Sequence, residues 1–316
     1  MTPRIKTQEE KHEQWVTENC GVKERPQHSR LDTIGGTRRS SMNHPCEILV
    51  VDRFAPLRAH LLALLADLGE DDWARPTAAP LWTVKDVAAH LLGGDVAILS
   101  GKRDGFHLSQ RIESNEQLIE LIDRLNAEWV QATRRMSPRL LHELLAFTGP
   151  EVEACFASLD PKALGCAVSW AGPEPAPVWF DLAREFTERW HHQQQIRDAT
   201  GRPPLYDPYF FSPVLDTFVR ALPYAYRNTA AQAGTCVRFE ISGEAGGVWF
   251  VFRSEEAWTL LLDATVEPAA TVVLPQDLAW RLFTKGLDRK RARALAVING
   301  KAELAAPIFA TTAIIG

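Results

Sequence analysis

Cysteine is sparse in this sequence and never closely paired. The five cysteines (Cys20, Cys46, Cys155, Cys166 and Cys236) are scattered, odd in number and nowhere spaced C-x-x-C. That argues against a disulfide framework or a thiolate zinc site and fits a reducing cytoplasm. No apolar run reaches the roughly 18 residues that span a bilayer. The N-terminus, with Arg4, Lys6, Glu9, Glu10 and Lys11, lacks the apolar stretch of a signal peptide. A cytoplasmic monomer without a membrane partner is therefore expected. Neither sign of charge dominates, since 35 Lys and Arg face 40 Asp and Glu for a net charge of −5. Nucleic acid is not an expected partner. Internal repeats are absent too.

What is present is ordinary globular composition, 46% hydrophobic and 24% charged, over 316 residues, a length that suffices for two buried cores. Ten tryptophans are many for that length; core burial is their commoner use and a pocket wall the rarer one. Residues 1–43 carry many charges and no sustained period, so a disordered tail is expected, with Met42 an alternative start. Residues 44–201 read as helices. Phe54, Leu57, Leu61, Leu64 and Leu65 recur at helical spacing. Thr83 with Asp86 three residues on marks a capped second helix, and Asn115 to Met136 a third. A short helix is expected from Glu151 to Leu159, and a long one after Pro177 that stops at Gly201. Residues 202–233 read as a link with helical patches around Val214–Ala221. From 234 to 316 the period changes. Val237, Phe239 and Ile241 alternate, Gly243 to Gly247 turns the chain into Val248–Phe252, and further strands are expected at Thr271–Leu274 and Leu295–Ile298. A helix capped by Asp277 and ended by Gly286, and a terminal helix, complete a small α+β domain.

Within the long helix, Glu188 and His192 stand four apart, on one face and about 5–6 Å apart at Cβ. Two such side chains can converge on a zinc ion, with His90 of the second helix as the obvious third ligand and Asp86 placed to orient its ring. Three N/O ligands leave zinc an open position. The same stripe also holds Asp181, Arg184 and Gln195, with Leu182, Phe186 and Trp190 opposite, which equally describes a solvated face. Asp86 fits a plain cap as well, and His191 points away from His192.

The run Trp82-Thr83-Val84-Lys85-Asp86-Val87-Ala88-Ala89-His90-Leu91 resembles the metal-binding signature of the mycothiol-dependent maleylpyruvate isomerase family, within the wider DinB-like superfamily. Glu188-Arg189-Trp190-His191-His192 is similar to that family's E-x-W-x-H run. The resemblance covers about residues 45–316. It implies a DinB-like four-helix bundle followed by a sterol-carrier-like α+β domain, with His90, Glu188 and His192 as ligands of zinc or another divalent metal. It further implies a low-molecular-weight thiol as cosubstrate, activated for cis–trans isomerisation of a small molecule or for S-transfer. An arginine of the second domain is implied to assist, and Arg289, Arg291 or Arg293 of the basic cluster with Lys285 and Lys290 are the candidates, although a solvated basic turn has the same composition. Where many relatives carry an acid three positions beyond the last ligand, this chain has Gln195. The scaffold leaves two alternatives open: a zinc-dependent hydrolase, or a non-catalytic binder of an apolar small molecule held by Val248–Phe252, Trp258, Trp280 and Phe283.

Overall fold

The computed structural model describes residues 43–106 and 114–314. The expected disordered tail lies outside them except for Asn43. Helix α1 (Phe54–Ala66) buries the five apolar residues that define its period. Helix α2 (Val84–Ile98) begins at the Thr83 capping box. Helix α3 (Asn115–Thr133) follows, then α4 (Pro138–Ala157), which is much longer than the Glu151–Leu159 stretch expected. Gly149-Pro150 in its middle reads as a break. The helix runs through, and the glycine has a packing role instead: a Cβ at Gly149 would stand 2.9 Å from the side chain of Arg58.

A short antiparallel pair, β1 (Leu164–Ala167) and β2 (Pro175–Pro177), leads into α5 (Val178–Thr200). Gly201 ends α5 with φ 65°, a left-handed cap that suits glycine. Helix α2 packs against α3, α4 and α5, and α1 packs against α4 and α5. One core is formed by Leu61, Leu64, Leu65, Val84, Val87, Leu141, Leu145 and Ile196.

The stretch 202–233 contains α6 (Pro208–Val219) and α7 (Leu222–Tyr226). Phe211, Val214, Leu215 and Phe218 of α6 are fully buried in a second core, so much of this connection is packed structure. The α+β region has β3 (Cys236–Ser242), β4 (Gly247–Arg253), β5 (Trp258–Leu261), β6 (Ala270–Pro275) and β7 (Val297–Gly300) in the order β5-β4-β3-β6-β7. Only β3 and β6 run parallel. Helices α8 (Gln276–Phe283), α9 (Arg289–Leu295) and α10 (Ala302–Ala310) complete it. The basic cluster thus lies partly on α9, a helix with almost no apolar stripe, which is why its period is invisible. Asp277 does not cap α8, whose N-cap is Pro275; it accepts from the Tyr206 hydroxyl and pairs with Arg281 at 3.2 Å.

The second core joins both regions. Trp190 of α5 stacks on Phe211 at 4.5 Å, meets Trp280 of α8 edge-on at 5.5 Å and donates its Nε1–H to the Leu205 carbonyl at 3.0 Å. Trp280 and Phe283 therefore fill the core. Among the described residues Cys46, Cys155 and Cys236 are free. Cys166 is disulfide-bonded, contrary to expectation, because sequence spacing does not say which cysteines meet in space. No helix among the described residues is long and apolar enough to cross a membrane.

Candidate metal centre

The segment before α2 is a closed loop. Thr77 N–H and Thr77 Oγ1–H both donate to the Trp82 carbonyl, at 3.1 and 2.9 Å, and Trp82 N–H donates to Ala79. Thr83 and Asp86 then exchange cap bonds, Asp86 N–H to Thr83 Oγ1 at 3.3 Å and Thr83 N–H to Asp86 Oδ2 at 3.0 Å. This fixes where α2 starts and sets the Trp82 indole 4.8 Å from the His90 ring.

Opposite His90, α5 presents Glu188 and His192. The His90 and His192 rings lie 4.6 Å apart, and His192 Nε2 is 3.3 Å from Glu188 Oε2. One donor atom from each of His90, Glu188 and His192 lies within 4.8 Å of the other two. A zinc ion about 2.1 Å from tetrahedral ligands sets its donor atoms about 3.4 Å apart, so the Glu188–His192 pair has that spacing already. His192 Nδ1 lies 2.9 Å from Gln195 Oε1, which orients the ring with Nε2 toward Glu188 and His90. Asn126 of α3 lies beside the His90 ring. The donor set fits a divalent cation.

The electrostatics favour the same state. Burial, reinforced by the charge of His192, pushes His90 down to about 3, so its imidazole is neutral with a lone pair available. Burial acts to raise Glu188, but the hydrogen bond and charge of His192, with His191 and Arg184, outweigh it and hold the carboxyl at about 2. Around these three runs a ladder of buried ion pairs. Asp95 of α2 accepts from Arg58 at 2.6 and 2.9 Å, from Arg189 at 3.1 Å and from Thr148 at 2.7 Å. Arg189 also donates to Glu185 at 2.6 Å, and Arg184 to both Asp181 and Glu185. Lys102 pairs with Asp181 at 2.5 Å. The four cations of this ladder meet three carboxylates, and the charge of Arg184 also reaches Glu188, whose nearest partner is His192.

Three expectations change here. Asp86 does not orient His90, since its carboxylate is occupied by Thr83 and by Arg134 at 3.2 Å; Asn126 contacts the ring instead. His191 does not simply face away, for its ring is 5.0 Å from His192 and 5.9 Å from Trp280, buried and with Nδ1 unpartnered among the described residues. Arg289, Arg291 and Arg293 are exposed on α9. The arginine of the α+β region that meets α5 is Arg281, which donates to Asp198 at 2.5 Å; these residues are 83 apart in sequence, and no local pattern signals the pair.

Residues 54–197 match the model of the mycothiol maleylpyruvate isomerase N-terminal domain. Helices α1 to α4, with most of α5, fall inside the matched range, as do His90, Glu188 and His192. Two uncharacterized proteins, from two strains of Mycobacterium tuberculosis, are each 28% identical over 210 residues, 62% of this chain and 74% of theirs. Among solved structures, mycothiol-dependent maleylpyruvate isomerase superposes with a TM-score of 0.46 at 11% identity, over 73% of this chain and 86% of that one. A point mutant of the same enzyme gives 0.47 with the same identity and coverage. A UbiJ-SCP2 ubiquinone synthesis protein gives 0.23 at 18% identity, over 32% of this chain and 87% of that one.

Proposed function

We propose that His90, Glu188 and His192 hold one divalent metal ion, with zinc the best fit to two imidazoles and a carboxylate. We propose further that the protein uses it to activate a low-molecular-weight thiol for cis–trans isomerisation of a maleylpyruvate-type substrate. The supporting observation is the convergence of three donor atoms within 4.8 Å, on two helices of the range that matches the mycothiol maleylpyruvate isomerase N-terminal domain. A cation bound there lowers the pKa of a coordinated thiol, which is otherwise about 8.5 and mostly protonated at neutral pH.

The chain's own residues have definable tasks. His90 and His192 offer imidazole nitrogens, and Glu188 supplies the one negative charge that offsets a dication. Gln195 orients the His192 ring, and an amide does so without adding a charge. Trp82 covers one side of the His90 ring and keeps water from it. Asp95 and Glu185, by engaging Arg189, prevent a guanidinium from pairing with Glu188.

The test offers metal-loaded protein a panel of thiols (mycothiol, bacillithiol, glutathione and cysteine) with maleylpyruvate and with simple electrophiles. Thiol-dependent isomerisation that vanishes in His90→Ala is the expected result. Thiol transfer to the electrophile would make the enzyme an S-transferase. Thiol-independent turnover of an ester or amide would make it a hydrolase, and no turnover with any pair would count against an enzyme of this class.

A further inference from the structure

Phe180 begins the far end of α5, eight residues and about 12 Å along the helix before Glu188. Beside it a cavity of about 480 Å³ opens between the 168–176 stretch, α7 and the β4–β5 hairpin. None of His90, Glu188 and His192 lines it. Its size is within the range of about 300–1,000 Å³ usual for small-molecule sites.

The apolar walls are already set. Phe180 is held edge-on by Trp170 at 5.5 Å and against Trp179 at 5.4 Å. Trp258 is buried, donates its Nε1–H to the Thr229 carbonyl at 3.0 Å and packs on Tyr226 at 4.9 Å. Tyr224 forms a third wall.

The charge in the cavity is less ordinary. Arg253 pairs with Trp258 in the β4–β5 register, so both side chains share one face of the sheet. Arg253 is half-buried, yet among the described residues its guanidinium donates to no side chain and no carbonyl. The other half-buried arginines described, from Arg53 and Arg58 to Arg238 and Arg281, each donate to a carboxylate or a backbone carbonyl. Partial burial of a cation without a counter-charge is unfavourable, and a ligand anion would relieve it. Arg227, stacked on Tyr224 at 3.9 Å, lies at the exposed rim with Glu174 and Glu256. Two arginines and two glutamates leave the lining neutral, which suits a monoanion better than a dianion.

We propose that this cavity binds a small monocarboxylate with an aromatic or branched apolar body, the carboxylate on Arg253 and the body between Phe180, Tyr224 and Trp258. It is a second site, independent of the metal reading.

The experiment titrates 4-phenylbutyrate, and its neutral amide 4-phenylbutanamide, into the full chain by calorimetry. A carboxylate also binds metals, so the titration is repeated in His192→Ala. One saturable site is expected, unchanged in His192→Ala, with the acid about tenfold or more tighter than the amide. Arg253→Gln should erase the preference for the acid, and Arg253→Lys should keep part of it. Glu256→Gln should tighten the acid by removing a repulsive charge at the rim, and circular dichroism checks that each variant folds. The proposal is overturned by equal affinity for acid and amide, by an acid preference that survives Arg253→Gln, by binding lost in His192→Ala, or by no saturable binding at millimolar concentration.

Discussion

Replacing Asp95 by Asn keeps the shape of a 1%-exposed side chain while removing its charge. Two guanidiniums depend on that charge, Arg58 and Arg189, whose side chains are only 10% and 12% exposed. Removing one partner of a buried pair typically costs about 3–5 kcal/mol, because the other charge remains buried. Arg189 keeps Glu185 at 2.6 Å, whereas Arg58 falls back on Glu153 at 3.9 Å. The loss should therefore lie near the lower end, about 3 kcal/mol. Urea denaturation at pH 7 measures it, and the loss should hardly change with salt because these charges are screened little. Asp95 is on α2 with His90, and Arg189 is on α5 with Glu188 and His192. Asp95→Asn should thus weaken metal binding as well as stability. The double variant Arg58→Met/Asp95→Leu, which removes both signs of charge, should recover much of the lost stability. A loss below about 1 kcal/mol, the scale of an exposed pair, would refute the buried clamp.

Gln195→Ala should weaken metal affinity about 10–100-fold with little change in stability, read by competition with a chelating dye. Trp190→Ala should cost about 3–5 kcal/mol and, since Trp190 touches Phe211 and Trp280, should lower the unfolding midpoint of both regions together. At Asp181, burial acts to raise the pKa, but Lys102 and Arg184 outweigh it and hold the carboxyl well below the usual range. A carboxyl depressed on folding adds stability at pH above its unfolded value, about 3.9, and loses it as pH falls toward the folded value. The stability gap between wild type and Asp181→Asn should be full at pH 7 and shrink below about pH 4; a gap that widens in acid would contradict the pairing.

Local signals gave away the ends of elements and little of what lies between them. Pro177 and Gly201 bracket α5, and the Thr83–Asp86 box starts α2, because capping chemistry is local. Alternation along β3 and the glycine turn before β4 are equally local. The polar stripe of α5 was ambiguous for a physical reason. A row of Asp181, Arg184, Glu188 and Gln195 matches a solvated face, yet it is packed inward, with Lys102 coming from a distant segment to pair with Asp181 and Asp95 from another to pair with the neighbouring Arg189. His90, Glu188 and His192 were suggested by spacing and family resemblance; the bond from His192 to Gln195 and the contact of His90 with Asn126 depend on packing that no period encodes. The length of α4 was hidden for a similar cause, since Gly149 serves Arg58, 91 positions earlier in the chain.

The central claim is a metal held by three named side chains. Elemental analysis of untagged protein, alongside His192→Ala and His191→Ala, tests it most directly. About one equivalent of zinc or a similar ion should be found in the wild type and in His191→Ala and be largely lost from His192→Ala. Equal metal content in wild type and both variants would contradict the assignment.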